Sequence, residues 1–148
     1  MMKKAQNRPD RYYRRDQKKG ISPPDLSKEY SYAEHIVHAR GKRSQYTSVS
    51  LDPTKIWDLG DATYRLKTGK LKNDGHSLIE HDALIEELRH MVKNKDKADR
   101  IRALQAVRYA TRRREGLVDW NFDISDIDRK DLITWAMSKV RDYFSRKK

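Results

Sequence analysis

Cysteine is absent from this chain, which removes disulfide scaffolds, thiolate zinc sites and cysteine nucleophiles together. No apolar run approaches the ~20 residues that a membrane span requires. The N-terminus is charged but lacks the apolar h-region of an export signal. The expectation is a cytoplasmic protein, associated with the nucleoid and not with a membrane. Linear catalytic signatures are missing too: there is no serine nucleophile elbow, Walker loop, HExxH or dinucleotide fingerprint. Glu80, Asp82 and Glu86 offer carboxylates, but their offsets span different faces of a helix, whereas a two-metal site needs carboxylates that converge, which a sequence does not show. His35 and His38 stand three apart on a predicted helix with no third ligand at a matching offset. The sequence alone therefore predicts no enzyme, no metal and no cofactor.

What the chain has is charge. Charged residues make up 38% and hydrophobic residues 36%, so part of the chain is expected to order only against a partner. In 148 residues without staples, a core shared between two copies is the favoured route to stability. The formal net charge of +12 is unevenly spread. Residues 1–20 hold eight Lys/Arg against two Asp, and residues 93–114 hold nine against two. Residues 21–92 are close to neutral, with ten against eleven, and residues 115–148 balance at seven each. Two basic blocks around a neutral centre are the electrostatic footprint of a nucleic-acid binder.

The chain divides into four segments. Residues 1–26 read as a basic flexible arm and linker, where Arg11, Arg14 and Arg15 are expected to track phosphates and Tyr12 and Tyr13 to stack. Residues 27–41 read as a helix capped by Ser27, with Tyr30, Ala33, Ile36 and Val37 inward and Gly41 as its stop. Residues 45–94 open with a strand in which Thr47, Val49 and Leu51 face one way and Tyr46, Ser48 and Ser50 the other. Asp52-Pro53 then starts a predicted helix with Ile56, Leu59, Ala62 and Leu66 inward, Trp57 and Tyr64 beside that stripe, and Gly60 in its middle. A second predicted helix begins at Ser77 and buries Leu78, Ile79, Leu84, Ile85, Leu88 and Val92. Residues 95–148 read as a C-terminal helical extension. Its first helix, 96–114, is expected to bury Ile101, Leu104, Val107 and Ala110 and to turn Arg108, Arg112, Arg113 and Arg114 to phosphate, ending at Gly116. An apolar connector through Trp120 and Phe122 leads to a last helix from Asp128, striped by Leu132, Ile133, Ala136, Met137, Val140 and Phe144.

One strand cannot satisfy its own backbone, which implies pairing with the same strand of a second copy across a two-fold axis. The order strand, Pro turn, helix, Gly75-His76-Ser77 turn, helix resembles the ribbon-helix-helix (Arc/MetJ-type) DNA-binding family. That resemblance implies a mainly α fold with a ribbon-helix-helix core and extra terminal helices. It also implies a homodimeric, sequence-specific transcriptional regulator of double-stranded DNA. The ribbon would lie in the major groove, with Arg43, Gln45, Tyr46, Ser48 and Ser50 at base edges. His76 and Ser77, at a helix N-terminus, would hold phosphate. A protein regulator or RNA polymerase would be a further partner, docked on the C-terminal stripe. Two other readings stay open: an RNA- or single-strand-binding protein, and an accessory protein that bends or bridges DNA in a relaxosome or partition complex.

Overall fold

Six strands form one antiparallel sheet among the residues described in the computed structural model, which are 11–38, 43–93, 96–121, 134–136 and 139–147. They are β1 (Tyr13–Asp16), β2 (Tyr46–Ser50), β3 (Ala62–Leu66), β4 (Ser77–Ile79), β5 (Glu115–Asp119) and β6 (Phe144–Lys147), in spatial order β4-β5-β2-β1-β3-β6. Four α-helices are described: α1 (Tyr32–His38), α2 (Thr68–Asn73), α3 (His81–Met91) and α4 (Lys97–Arg113). Short 3-10 turns occupy Pro53–Lys55, Trp57–Leu59 and Val140–Tyr143.

The sheet has a core on each face, as strand alternation requires when both faces are covered. On one face, Leu117 of β5 packs with Ala33 and Ile36 of α1, Leu84 and Leu88 of α3, and Ala106 and Ala110 of α4. On the other, Val49, Val118, Tyr64, Leu66 and Trp120 pack with Leu71 of α2, Val140 and Tyr143. The edges of the elements follow local chemistry. A reciprocal capping box starts α1: Ser31 Oγ accepts from Glu34 N at 3.1 Å, and Glu34 Oε1 accepts from Ser31 N at 3.2 Å. Asp96 caps α4 by accepting from Asp99 N, and Arg114, left-handed at φ 50°, ends it.

This α/β architecture overturns the mainly α ribbon-helix-helix expectation. The strand at residues 46–50 is real, but it lies inside the sheet, paired with β1 on one side and β5 on the other. One of its edges is paired with β5 along its whole length and the other meets β1 at Tyr13↔Ser50, all within one chain, which removes the premise for a two-fold ribbon. The first predicted helix of the core is two 3-10 turns and then β3, where Ala62, Tyr64 and Leu66 are buried in alternation. The second begins late: Ser77–Ile79 is edge strand β4, and helix α3 starts at His81. Within the segment read as an arm, residues 13–16 form β1 near the middle of the sheet.

Helix α1 is capped by Ser31, not Ser27, whose hydroxyl instead donates to Asp25 Oδ1. Helix α4 is rotated from its expected phase. Of the residues expected inward, Ala110 is buried and Val107 packs against the core, but Ile101 and Leu104 stay 48% and 46% exposed and Ala103 and Ala106 are buried instead. Small alanine side chains allow α4 to approach α1 and α3 closely, and that packing outweighs burial of the larger residues. Gly116 does not end the helix; it lies in β5, where an added Cβ would come within 2.8 Å of the Tyr12 ring. Residues 1–10 of the arm, Gly41, and the start of the last predicted helix at Asp128, Leu132 and Ile133 lie outside the described residues.

Candidate active site

The sheet is split where β1 meets β2. Strand β1 pairs with β3 along its whole length, from Tyr13↔Arg65 to Asp16↔Ala62, but with β2 only at Tyr13↔Ser50. Beyond that pair the two strands part, and the backbone carbonyl of Ser48 would lose its partner. Arg14 supplies one: its Nη1 donates to Ser48 O at 2.8 Å. The split opens a cleft of about 680 Å³ between the two strands, walled by α1 and by the turns at 53–59. That volume suits a nucleotide-sized ligand.

Polar side chains meet in this cleft from four distant segments. Asp16 holds Arg14 through a 2.9 Å ion pair to Nε. The Asp16 carboxylate also accepts from Gln17 N, Ser22 N and Ser22 Oγ. Burial disfavours its charge, but the Arg14 guanidinium and the Ser22 and Gln17 hydrogen bonds outweigh that and hold its pKa below the usual carboxylate value. Asp16 is thus a fully engaged acid whose task is to orient Arg14.

A second chain of hydrogen bonds runs through His35. Ser44 Oγ, itself accepting from Tyr46 N, bonds His35 Nδ1, while His35 Nε2 lies 2.6 Å from Ser48 Oγ. Ser48 Oγ donates to Glu115 Oε2 at 3.1 Å. Because the Ser48 proton goes to Glu115, its oxygen accepts from Nε2–H, and Nδ1 in turn accepts from Ser44. Every proton in the chain therefore points toward Glu115. Burial, followed by the field of Arg14, lowers the His35 pKa to about 3, so the ring stays neutral. Burial pushes the Glu115 carboxyl up to about 7, against the Ser48 hydrogen bond and the fields of Arg113 and Arg14. An acid poised there can exchange a proton near neutral pH, the condition for a general base or acid.

Four arginines line the same cleft: Arg14, Arg15, Arg43 and Arg113. Arg113 leans on the Tyr109 ring at 5.8 Å. Guanidinium groups converging on a concave site match the oxygens of phosphate. Arg15 plays a different part. Its Nη1 donates to Thr63 Oγ1 and its Nη2 to the carbonyls of Trp57 and Gly60, so it pins the 57–60 turn to β1.

The residues expected at base edges now have definite places. Arg43, Tyr46 and Ser48 line the cleft, and Ser50 is buried with its hydroxyl donating to Arg113 O. Gln45 braces Tyr30 through hydrogen bonds to its backbone N and O. Of the expected phosphate ligands, Arg14, Arg15 and Arg113 line the cleft, whereas Arg11, Arg108, Arg112 and Arg114 are exposed. His76 and Ser77 are not at a helix N-terminus. His76 packs edge-on to Trp120, Trp135 and Tyr143, with ring centroids 5.1–5.7 Å away. The stacking pair is also displaced: Tyr12 is buried with its hydroxyl accepting from His81 N, and Tyr13 lies under Arg65 and Lys147. His35 belongs to the hydrogen-bond chain, and the His38 side chain lies outside the described residues. No group of three metal-ligating side chains occurs among the described residues. No helix among them is long and apolar enough to cross a membrane.

Glu115 was not singled out by the sequence. Its signal was local: an acid directly after Arg112-Arg113-Arg114 and directly before the apolar Gly116-Leu117-Val118, so a charge carried into a buried strand. Searches against family models, curated proteins and solved structures found nothing similar to the chain.

Proposed function

We propose that the protein is an enzyme that cleaves the ribosyl–nicotinamide bond of a nicotinamide dinucleotide and transfers the ADP-ribosyl group to an acceptor. This replaces the non-enzymatic expectation drawn from the absence of linear motifs. The observation that carries it is a cleft lined by four arginines and by one buried carboxylate without an ion pair, Glu115, which accepts from Ser48.

Two features narrow the chemistry. The guanidinium groups call for a ligand with adjacent phosphates, as a dinucleotide pyrophosphate has. Ordinary glycoside cleavage needs two carboxyl groups, one to protonate the leaving oxygen and one for the opposite face of the sugar. Here Asp16 is committed by four hydrogen bonds, from Arg14, Gln17 N, Ser22 N and Ser22 Oγ, and Asp58 is exposed at the cleft surface, which leaves Glu115 as the buried acid inside. A single carboxylate suffices when the leaving group departs without protonation. Nicotinamide does so: it carries a positive ring nitrogen in the dinucleotide and leaves neutral with the bonding electron pair. As the bond to C1′ breaks, Glu115 stabilises the cationic ribosyl group and accepts the proton of the incoming acceptor. Ser48 holds that carboxylate in place, and Arg14 and Arg113 neutralise the pyrophosphate.

Chromatographic detection of nicotinamide released from the oxidised dinucleotide tests the reading. Glu115→Gln should lower the rate at least ~100-fold with binding retained, while Arg14→Ala should raise the dissociation constant of the dinucleotide. Absence of both nicotinamide release and dinucleotide binding in the parent protein would overturn it.

A further inference from the structure

We infer that the acceptor is single-stranded nucleic acid, with a base stacked on Trp57 at the rim of the cleft. The inference rests on the enzymatic reading above, because it assigns that reaction's second substrate. Trp57 is 71% exposed, whereas the Trp120 side chain is 2% exposed and Trp135 is half-buried. An indole left in water is an unused aromatic face. It is also presented rigidly. Ile56 before it is buried, its own carbonyl accepts from Arg15 Nη2 at 3.1 Å, and Gly60 after it lies against the Asp16 backbone. Ile56, Asp58 and Leu59, its neighbours on the same turn, line the cleft, and Leu59 is 47% exposed.

Charge selects among partners that an aromatic platform could take. Arg43 and Arg113 line the cleft with Asp58, while Lys55, Arg112 and Arg114 are exposed next in sequence to lining residues, with Asp52 in the field of Lys55 and Arg114. The chain as a whole carries +12. A polyanion is favoured, and an aromatic platform beside cationic groups is how single-stranded nucleic acids are held without sequence preference. Duplex bases offer no free face to stack. In the transfer, an amino or hydroxyl group of the unstacked nucleotide forms the bond to C1′ and gives its proton to Glu115. Nicotinamide leaves with the electron pair of the broken bond.

The test is tryptophan fluorescence titration with 15-mer single strands of DNA and of RNA that contain all four bases, and with polyglutamate as a peptide polyanion. It is followed by label transfer from phosphate-labelled dinucleotide. Both oligonucleotides should quench the emission, with affinity falling as salt rises, and one of them should accept label. Trp57→Ala, checked for intact fold by circular dichroism, should lose the quench and bind about tenfold more weakly. Equal binding of polyglutamate without quenching, or unchanged oligonucleotide affinity in Trp57→Ala, would overturn the inference and favour an acidic protein acceptor. The titration needs no dinucleotide, and nicotinamide release into water needs no oligonucleotide. Loss of the first with survival of the second therefore removes the acceptor and leaves the enzymatic reading standing.

Discussion

Ser48 Oγ donates to Glu115 Oε2 at 3.1 Å, joining neighbouring strands β2 and β5 across 67 positions of sequence. The register sets Ser50 opposite Glu115 and Ser48 opposite Leu117, so the contact is diagonal on one face of the sheet. Behind Ser48 stands neutral His35, and before it the acid that burial holds near pH 7.

These two shifts make opposite contributions to stability. Glu115 is raised on folding, so its contribution is greatest below its ordinary value of 4.5 and is lost as pH rises through about 7. His35 is lowered, so its contribution is full above 6.5 and is lost as pH falls toward about 3. Between pH 4.5 and 6.5 the two slopes, each about 1.4 kcal/mol per pH unit, cancel. Denaturant titrations should show this as differences from the parent protein. The stability difference for Glu115→Gln should rise with pH across that window, and that for His35→Gln should fall. Parallel pH curves for both variants and the parent would refute the assignment.

Ser48→Ala removes the hydrogen bond that favours the Glu115 carboxylate. The pH–rate profile of nicotinamide release, expected to climb through about pH 7 in the parent, should move to higher pH in the variant. A lower plateau with an unmoved midpoint would mean that Ser48 acts on the substrate and not through Glu115.

Gly60 and Gly69 form a matched pair for testing the turn that carries Trp57. A Cβ on Gly60 would meet backbone atoms of Asp16 at 2.6–2.7 Å, whereas Gly69, in helix α2, has nothing within 4 Å. Gly60→Ala should cost about 1–3 kcal/mol by forcing the turn away from β1. Gly69→Ala should add roughly 0.5–1 kcal/mol through helix propensity. Urea unfolding of both variants provides the comparison.

His76 ties the far face of the sheet together. Its Nδ1 donates to Trp120 O at 2.8 Å, its Nε2 lies 3.2 Å from Tyr143 Oη, and Tyr143 donates to Asp74 Oδ2 at 2.8 Å. His76→Ala should lose about 2–3 kcal/mol, since it leaves a carbonyl unpaired and empties space among three rings. Nicotinamide release at low temperature should persist, because none of these groups lines the cleft. A catalytic collapse without loss of stability would place His76 in the reaction.

Some of the site was legible early. Charge clustering points to Arg14 and Arg113 as phosphate ligands, the ribbon resemblance points to Ser48 as a base reader, and all three line the cleft. The ligand attached to them, a duplex groove, came from taking β2 as an unpaired ribbon. His35 was weighed only as half of a metal pair, because its serine partners lie 9 and 13 residues away and on another element. Glu115 carries one local signal, its place between three arginines and an apolar run, but the pairing of β5 with β2 and β4 decides that this acid is buried and not solvated.

Two elements show where local information ends. Residues 46–50 form a strand, and residues 97–113 a helix opened by Asp96, because side-chain alternation and capping are short-range and need no distant partner. Residues 62–66 satisfied a helical spacing as well as a strand alternation, and pairing with β1 and β6 decided between them. The sequence by itself determined the two basic blocks, the lack of cysteine chemistry, the central strand and the long arginine-bearing helix. Tertiary structure alone decided the parting of β1 from β2, the burial of Glu115 and the exposure of Trp57. Each of these depends on which backbone edges are paired and how much water is displaced, and residues more than 30 positions apart settle both.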